Sequence, residues 1–313
     1  LAAPETWLIR GKEDLAIILN EEGYDVWLGC YRGSSCGRQH VNLSVADEKF
    51  WNFSFHEHGV YDTPAMIDRI LAVTASPKTA VIAHSMGNAV FMSMLAMRPE
   101  YNTKVNLFVA MAPYAVVQMD ISSRVEALFT GAMPILRKNV QTDEKLDLFV
   151  RRKINPLAGM CSKMPEACIA IMKMTQGKNA MNTDRKLIPV LTAYFPSGTS
   201  PKCVEHLYQL RNGQFRQFDY GNSSSNLAHY NQIEPPRYNL NQVRVPVSLY
   251  YGEKDTRVSK EGMTAQAQAL PNVVRCCVIP EFIHVDFIIA CNTRQLLYDP
   301  ILGDLRKYAP TNQ

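Results

Sequence analysis

The chain has 313 residues, of which 47% are hydrophobic and 20% charged, so it can bury a large core in one domain with an insertion or in two. Its net charge of +4 includes no run of about five or six like charges, which argues against a nucleic-acid partner. No apolar stretch reaches the roughly 18–20 residues that span a bilayer, and without a C-x-x-C pair or a histidine-rich tract we expect neither metal nor cofactor.

Strands and helices alternate in the first third of the sequence. A helix is predicted near 13–22, ending at Gly23, and the apolar runs that follow it predict strands. In chain order the next predicted elements are a strand at 24–30, a helix near 63–74, a strand at 79–85, a helix at 86–98 and a strand at 105–113. Such alternation is typical of an α/β fold with a mostly parallel sheet.

The strand signal disappears from about residue 115 to 240, which we call the cap segment. Helices are predicted there near 123–137, 143–153, 163–176, 185–193 and 199–212. Beyond it, strands are predicted at 245–252 and 272–280, and helices near 260–270 and 285–306. We therefore expect a discontinuous core domain, 1–114 and 241–313, interrupted by a mostly helical insertion at 115–240. The insertion is interpreted either as a lid over a site or as a second helical layer with Met in its core.

One short segment combines a strand, a tight turn and a helix around a single serine. The apolar run 80–83 leads into His84-Ser85-Met86-Gly87, and the apolar side chains that follow fall on one face of a helix. This order is that of the nucleophile elbow, G-x-S-x-G, in which a strained turn exposes the serine hydroxyl above the sheet edge. Ala83 takes the place of the first glycine. We interpret Ser85 as a catalytic nucleophile, and an ordinary loop serine is the alternative.

A serine nucleophile needs a base and an orienting acid, which follow it along the chain in this arrangement. Asp255 lies just past the predicted strand at 245–252, and His284 lies four residues after Pro280, where the next predicted strand ends. The carboxyl ends of parallel strands lie at one edge of a sheet, where ligands bind. Ser85, Asp255 and His284 are therefore predicted to form a catalytic triad.

Other assignments of the base and the acid are open. The alternative for Asp255 is a turn or cap residue, and for His284 a structural histidine. Asp286 and Glu253 are rival acids. Asp286 is only two residues from His284, which is too near along the chain for its carboxylate to approach the ring from behind. Glu253 comes one position early at the end of the strand. His84 is the next candidate base, although within the elbow it is expected to point away from the nucleophile.

Several long motifs, found in order along nearly the whole chain, resemble those of the acid lipase family. That family is the α/β-hydrolase group of gastric and lysosomal acid lipases and many arthropod digestive lipases. The motifs are G-Y-D-V-W-L-G at 23–29 followed by Arg32-Gly33, F-W-N-F-S-F at 50–55, Y-D-T-P-A at 61–65, P-S-G-T-S at 196–200, His229-Tyr230 with Pro235-Pro236, and I-H-V-D-F at 283–287. The chain departs from the family at Cys30, where Asn is usual, at His56 and His58, and at Met86, where vertebrate members carry Gln.

The resemblance implies an α/β-hydrolase fold and a carboxylic ester hydrolase that cleaves triacylglycerol or sterol ester through an acyl-enzyme. It implies that Ser85, Asp255 and His284 are the triad and that Cys161 and Cys168 form a disulfide inside the cap segment. The partner is then a lipid ester substrate or a lipid–water interface. Two alternatives remain: a non-catalytic lipid-binding or yolk-type protein on a lipase scaffold, and a thioesterase or peptidase of the same fold.

The first residues predict that the N-terminal strands of this fold are missing. Residues 1–7 resemble the loop after the family's H-G-L segment, which supplies one backbone N–H of the oxyanion hole, while Met86 supplies the other. Leu1 then lies at or one residue past the first donor, and loss of one donor costs about 10²–10³ in rate. The sequence shows no initiating Met and no signal peptide, so the chain is interpreted as a truncated lipase. The missing strand would leave a gap between the strands at 24–30 and 79–85. An inactive lipase fragment is the alternative.

Glycosylation motifs and cysteines favour a secreted or lysosomal route. Asn42, Asn52 and Asn222 each begin an N-x-S sequence, and the Cys161–Cys168 pair is consistent with an oxidising compartment. The alternative is a cytosolic hydrolase with reduced, buried thiols. Cys276 and Cys277 lie on a predicted strand, and we expect them to pack on its two faces rather than to bridge.

Overall fold

The computed structural model describes residues 4–116, 156–176, 182–211 and 213–309. Within these ranges the apolar runs after residue 78 form a four-stranded, fully parallel sheet in the order β1-β2-β3-β4. The strands are β1 Thr79–His84, β2 Val105–Met111, β3 Val247–Gly252 and β4 Val273–Ile279. The expected α/β architecture with a parallel sheet is confirmed.

Helices flank the sheet and fill the described part of the cap segment. Before it, the helices are α1 Leu15–Glu21, α2 Phe55–Glu57, α3 Thr63–Thr74 and α4 Met86–Met97. Inside it they are α5 Pro156–Lys163, α6 Pro165–Gln176, α7 Leu187–Tyr194, α8 Pro201–Gln209 and α9 Ser223–Tyr230. After it they are α10 Lys260–Ala269, α11 Asp286–Ile289 and α12 Asp299–Tyr308. None of the helices in the described ranges has the length and apolar character needed to cross a bilayer.

The central strands carry side chains into two apolar layers, as the period of two along a strand requires. Leu107, Val109 and Met111 of β2 pack in one cluster with residues of α1 and α12. Phe108 and Ala110, which point the other way, pack in a second cluster with residues of α4. Both faces of β2 and β3 are therefore covered, as unbroken apolar runs predict for a parallel sheet.

The segment 24–30, predicted as a strand, is irregular in the structure, so this prediction is wrong. Trp27 and Leu28 are 42% and 37% exposed. β1 is the edge of the described sheet and is only half-buried along its length. An extended segment becomes a strand only when a neighbour completes its backbone hydrogen bonds, and no described strand lies next to 24–30 to do so.

The helix predicted at 285–306 is also wrong, because it is interrupted. α11 ends at Ile289, and Ala290 is extended and bridges Thr183 of the cap segment in antiparallel fashion. A π-helical turn, Arg294–Tyr298, then leads into α12. The N–H of Ala290 still donates to the carbonyl oxygen of Asp286 in the preceding turn, but the N–H of Cys291 donates to the carbonyl oxygen of Asn182, so the helix ends where the backbone begins to pair with the cap segment.

Several cap-segment predictions have definite outcomes. The helices predicted near 123–137 and 143–153 lie outside the described residues. Those near 163–176, 185–193 and 199–212 correspond to α6, α7 and α8, whereas α5 and α9 were not predicted. The division of the chain at 115 and 240 stays a prediction.

Two disulfides join described residues. Cys161 and Cys168, the pair that the resemblance implies, are bonded in the cap segment, and Cys30–Cys36 is a second bridge that was not predicted. Cys276 is exposed and Cys277 half-buried, so the prediction that both pack is wrong for Cys276. The reason is that β4 is the other edge strand of the described sheet and leaves part of its surface uncovered.

Candidate active site

Ser85 lies at the sharp turn between β1 and α4. Its backbone has φ 56° and ψ −121°, a conformation that is strained for any residue with a Cβ atom. The turn is anchored because the backbone N–H of Ser85 donates to the carbonyl oxygen of Met111 at 3.0 Å. A Cβ at Gly87 would lie 3.3 Å from the Cβ of Ala83, so small residues on both sides of the serine let strand and helix approach closely.

The imidazole of His284 lies between a hydroxyl and a carboxylate. Its Nε2 is 2.7 Å from Oγ of Ser85, and its Nδ1 is 2.7 Å from Oδ2 of Asp255. With a proton on Nδ1, the ring donates to Asp255 and accepts the hydroxyl proton of Ser85 at Nε2. His284 and Asp255 are only 6% and 8% exposed, so little solvent competes for these hydrogen bonds. Such a chain can transfer a proton from a serine hydroxyl to an imidazole.

Asp255 is oriented by the loop that follows β3. Its second oxygen, Oδ1, accepts a hydrogen bond from the backbone N–H of Arg257 at 2.8 Å, which leaves Oδ2 for the histidine. This loop lies against the backbone around Phe282, because the N–H of Lys254 donates to the carbonyl oxygen of Phe282 at 3.0 Å. A Cβ at Gly252 would lie 2.5 Å from that same oxygen, so only glycine allows this approach.

The rival acids and the rival base make other contacts. Asp286 is fully buried and accepts hydrogen bonds from the Thr183 hydroxyl and the Ile283 N–H. The carboxylate of Glu253 accepts from the backbone N–H of Glu281 at 3.2 Å. His84 directs Nε2 to the carbonyl oxygen of His284 at 3.1 Å, and desolvation lowers the pKa of its ring.

Two further predicted site residues concern the oxyanion hole. Met86 is the first residue of α4, so its backbone N–H belongs to the first turn, where intrahelical acceptors are missing. Its side chain contacts the buried thiol of Cys203, with the two sulfur atoms 3.5 Å apart. Leu1 lies outside the described residues. Across the described ranges, no group of three or more His, Cys, Asp or Glu side chains is arranged to hold a metal ion.

Sequence reasoning did not single out Gly252, Arg257 or Thr183. Glycine at the end of an apolar run is a recognisable signal of close backbone approach, so Gly252 was within reach of the sequence. The role of Arg257 is carried by its backbone and leaves no signal in its residue type. Thr183 meets Asp286 across 103 residues, a contact that no local pattern reveals.

Comparison with known proteins gives close relatives and a matching fold. No family model matches the chain. The chain is 35% identical to Lipase 1 of Drosophila melanogaster over 301 residues, which cover 94% of the chain and 66% of the fly protein. It is 30% identical to lysosomal acid lipase/cholesteryl ester hydrolase of Rattus norvegicus over 320 residues, or 98% of the chain and 78% of the rat protein. An esterase from Exiguobacterium antarcticum superposes with a TM-score of 0.54 at 12% identity, covering 97% and 88% of the two chains, and so shares the fold.

Proposed function

Because this chain belongs to the acid lipase family of α/β hydrolases, we propose that it is a serine hydrolase that cleaves carboxylic esters of lipids. The observation that carries the proposal is the hydrogen-bonded chain from Ser85 through His284 to Asp255, with both distances at 2.7 Å. The non-catalytic alternative offers no reason for a buried imidazole between a hydroxyl and a carboxylate.

The proposed reaction is acyl transfer through an acyl-enzyme. Nε2 of His284 takes the hydroxyl proton as Oγ of Ser85 attacks the ester carbonyl, and Asp255 stabilises the imidazolium that forms. His284 then gives the proton to the leaving alcohol. Water, deprotonated by the same nitrogen, attacks the acyl group and releases the acid and free Ser85. The N–H of Met86 is proposed as one oxyanion donor, at the start of α4.

A lipid substrate is supported by the relatives and by the surroundings of Ser85. The rat relative is named for cholesteryl ester hydrolysis, and the fly relative is named a lipase, so we propose triacylglycerol or sterol ester as the substrate class. The contact of Cys203, on α8, with Met86 brings the cap segment beside the nucleophile. We propose on this basis that the cap segment covers Ser85 as a lid and borders the acyl chain at a lipid–water interface.

A secreted or lysosomal location is proposed together with glycosylation. Asn42, Asn52 and Asn222 are all exposed, as an attached glycan requires. At Asn222 the side-chain oxygen accepts from the backbone N–H of Ser225 and caps α9, which leaves the amide nitrogen to carry the sugar. Loss of mass after treatment with an N-glycosidase, in protein made in a eukaryotic host, would test this proposal.

Reaction with a fluorophosphonate probe and hydrolysis of an ester panel test the proposed activity. We expect the protein to be labelled, and Ser85→Ala to abolish labelling and lower ester hydrolysis by about 10⁶. Triacylglycerol, cholesteryl ester, a short soluble ester, a thioester and a peptide in one panel separate the lipase from its alternatives. Binding of these lipids without labelling or turnover would favour the non-catalytic alternative, and an active Ser85→Ala variant would remove Ser85 from the assignment.

A further inference from the structure

The loop that carries His284, residues 280–291, packs against the cap segment; we call it the histidine loop. Three of its apolar side chains are buried in a cluster that lies apart from the two layers of the sheet: Ile283, Val285 and Ile289. The other buried members of that cluster are cap-segment residues, namely Cys161, Cys168, Ile169, Ile188 and Leu191, and half-buried Ile9 packs against it from outside the cap segment. Phe282, Phe287 and Ala290 of the same loop pack instead in the sheet layer that contains α1 and α12. The base of the proposed triad therefore lies in a loop that is supported by the sheet on one side and by the cap segment on the other.

Backbone hydrogen bonds join the same two parts of the chain. The N–H of Asp184 donates to the carbonyl oxygen of Ile289 at 2.7 Å, and the N–H of Cys291 donates to the carbonyl oxygen of Asn182 at 2.7 Å. These bonds flank the antiparallel bridge between Thr183 and Ala290. They fix the register of the cap segment against the end of the histidine loop.

The carboxylate of Asp286 connects this bridge to His284. Oδ1 accepts a hydrogen bond from the hydroxyl of Thr183 at 2.7 Å, and Oδ2 accepts from the backbone N–H of Ile283, the residue before His284, at 3.0 Å. Asp286 is 0% exposed, and burial raises the pKa of its carboxyl group while these two hydrogen bonds oppose the rise. Losing either donor would leave a buried oxygen without a partner, which is costly.

We infer that Asp286 is a positioning residue, which holds the backbone of His284 in register with the cap segment through the hydroxyl of Thr183. The inference rests on the proposed function, since it concerns the placement of the proposed base. Asp286 acts through the backbone on each side of His284, not on the substrate. A displacement of the cap segment at Thr183 would thus move the imidazole relative to Ser85 and Asp255.

Thr183→Val tests the inference, because it removes the hydroxyl and keeps the shape of the side chain. We expect kcat for a short soluble ester to fall by about ten- to hundredfold with KM within about twofold, as for a small misplacement of a reacting group. The downfield proton NMR signal of an imidazole N–H bonded to a carboxylate should broaden or shift. Thr183→Ser, which keeps the hydroxyl, should restore both. Thr192→Val is the matched control: Thr192 is 7% exposed against 6% for Thr183, and its hydroxyl bonds within α7.

Asp286→Asn supplies a second variant in case Thr183→Val fails to fold. An amide can accept from the Ile283 N–H and donate to the Thr183 oxygen, so a role in positioning predicts kcat within about threefold of the parent enzyme. Equal kcat for Thr183→Val, Thr192→Val and the parent would overturn the inference, as would a loss in Asp286→Asn as large as in Thr183→Val. Failure of the parent protein to hydrolyse esters or react with fluorophosphonate would instead overturn the proposed function.

Discussion

Ser85 directly follows β1 and is bonded through its N–H to Met111 of the neighbouring strand, whereas His284 lies in a loop whose buried apolar side chains are divided between a layer of the sheet and the cap segment. Asp255 resembles Ser85, since it comes just after β3 in a loop bonded to the backbone near β4. The sheet thus places two of the three side chains, whereas the third depends on the cap segment as well as on the sheet.

The two kinds of placement respond to different changes. The end of a parallel strand is fixed by hydrogen bonds to its neighbours, so the sheet holds Ser85 directly and holds Asp255 through the short loop after β3. The histidine loop is fixed by contacts between residues far apart in the chain, such as Thr183 and Asp286. Substitutions on the sheet side and in the cap segment should therefore differ in how they affect kcat, stability and pH dependence.

The largest effect is expected for Asp255→Asn, on the sheet side. The amide keeps the size of the side chain but removes the charge that stabilises the imidazolium and selects its tautomer, so kcat should fall by about 10⁴. Glu253→Gln is the matched control two residues earlier, and it should leave kcat within about twofold because its carboxylate bonds to Glu281 instead. The measurement is kcat on a soluble ester. Equal losses in the two variants would contradict the assignment of the acid.

Gly252→Ala should break the contact between the two sides. The new Cβ would lie 2.5 Å from the carbonyl oxygen of Phe282, and because that oxygen belongs to the backbone, the loop after β3 must shift away from the histidine loop. We expect kcat to fall by about 10², as for a displacement of about 1 Å between reacting groups. Gly303→Ala, where the added Cβ meets nothing within 4 Å, should leave kcat unchanged. An active Gly252→Ala enzyme would show that the loops tolerate separation.

The cap segment should also contribute to the pH dependence of stability through His206, as buried His58 and His84 do outside it. The His206 ring on α8 is 0% exposed, and burial lowers its pKa from 6.5 to about 3. Between these pH values the unfolded chain binds a proton that the folded chain does not, so the contribution of His206 to stability is present above pH 6.5 and is lost as the pH falls.

Replacing this histidine should therefore flatten the acid limb of the stability curve. Between pH 6 and 4, the unfolding free energy of His206→Gln should fall less steeply than that of the parent protein. The two slopes should differ by about 1.4 kcal/mol per pH unit, which corresponds to one proton. Urea unfolding at several pH values provides the measurement. Parallel curves for the parent and the variant would mean that His206 is protonated in the folded state.

The sheet was predictable from sequence because its signals are local. Three predicted strands match β2, β3 and β4 to within a few residues at each end, namely the apolar runs at 105–113, 245–252 and 272–280. They could be recognised because parallel strands that are buried on both faces have unbroken apolar sequences. The positions of Ser85 and Asp255 just past strands follow from the same signal. His284 was predicted from the chain order of a triad and its place after the last strand, and the resemblance supplied the cysteine pair in the cap segment.

The errors share a physical cause, which is dependence on distant partners. The run at 24–30 has the composition of a strand, but a strand also needs a neighbour, and composition does not report one. The break after Ile289 and the bond from Thr183 to Asp286 arise from pairing between the cap segment and the histidine loop. Sequence separation hides such contacts, so the support of the proposed base could be found only from coordinates.

The backbone of Ser85 implies that the residue best suited to the reaction is poorly suited to folding. At φ 56° and ψ −121° an alanine is as strained as the serine, whereas a glycine is not. We expect Ser85→Gly to unfold at a higher denaturant concentration than Ser85→Ala. Its free energy of unfolding should be greater by about 1 kcal/mol, a figure that allows for the greater freedom of glycine in the unfolded chain. Both variants lack the hydroxyl, so the difference isolates the backbone, and a less stable glycine variant would mean that the turn is relaxed. The native protein thus gives up thermodynamic stability at one position in exchange for an exposed nucleophile.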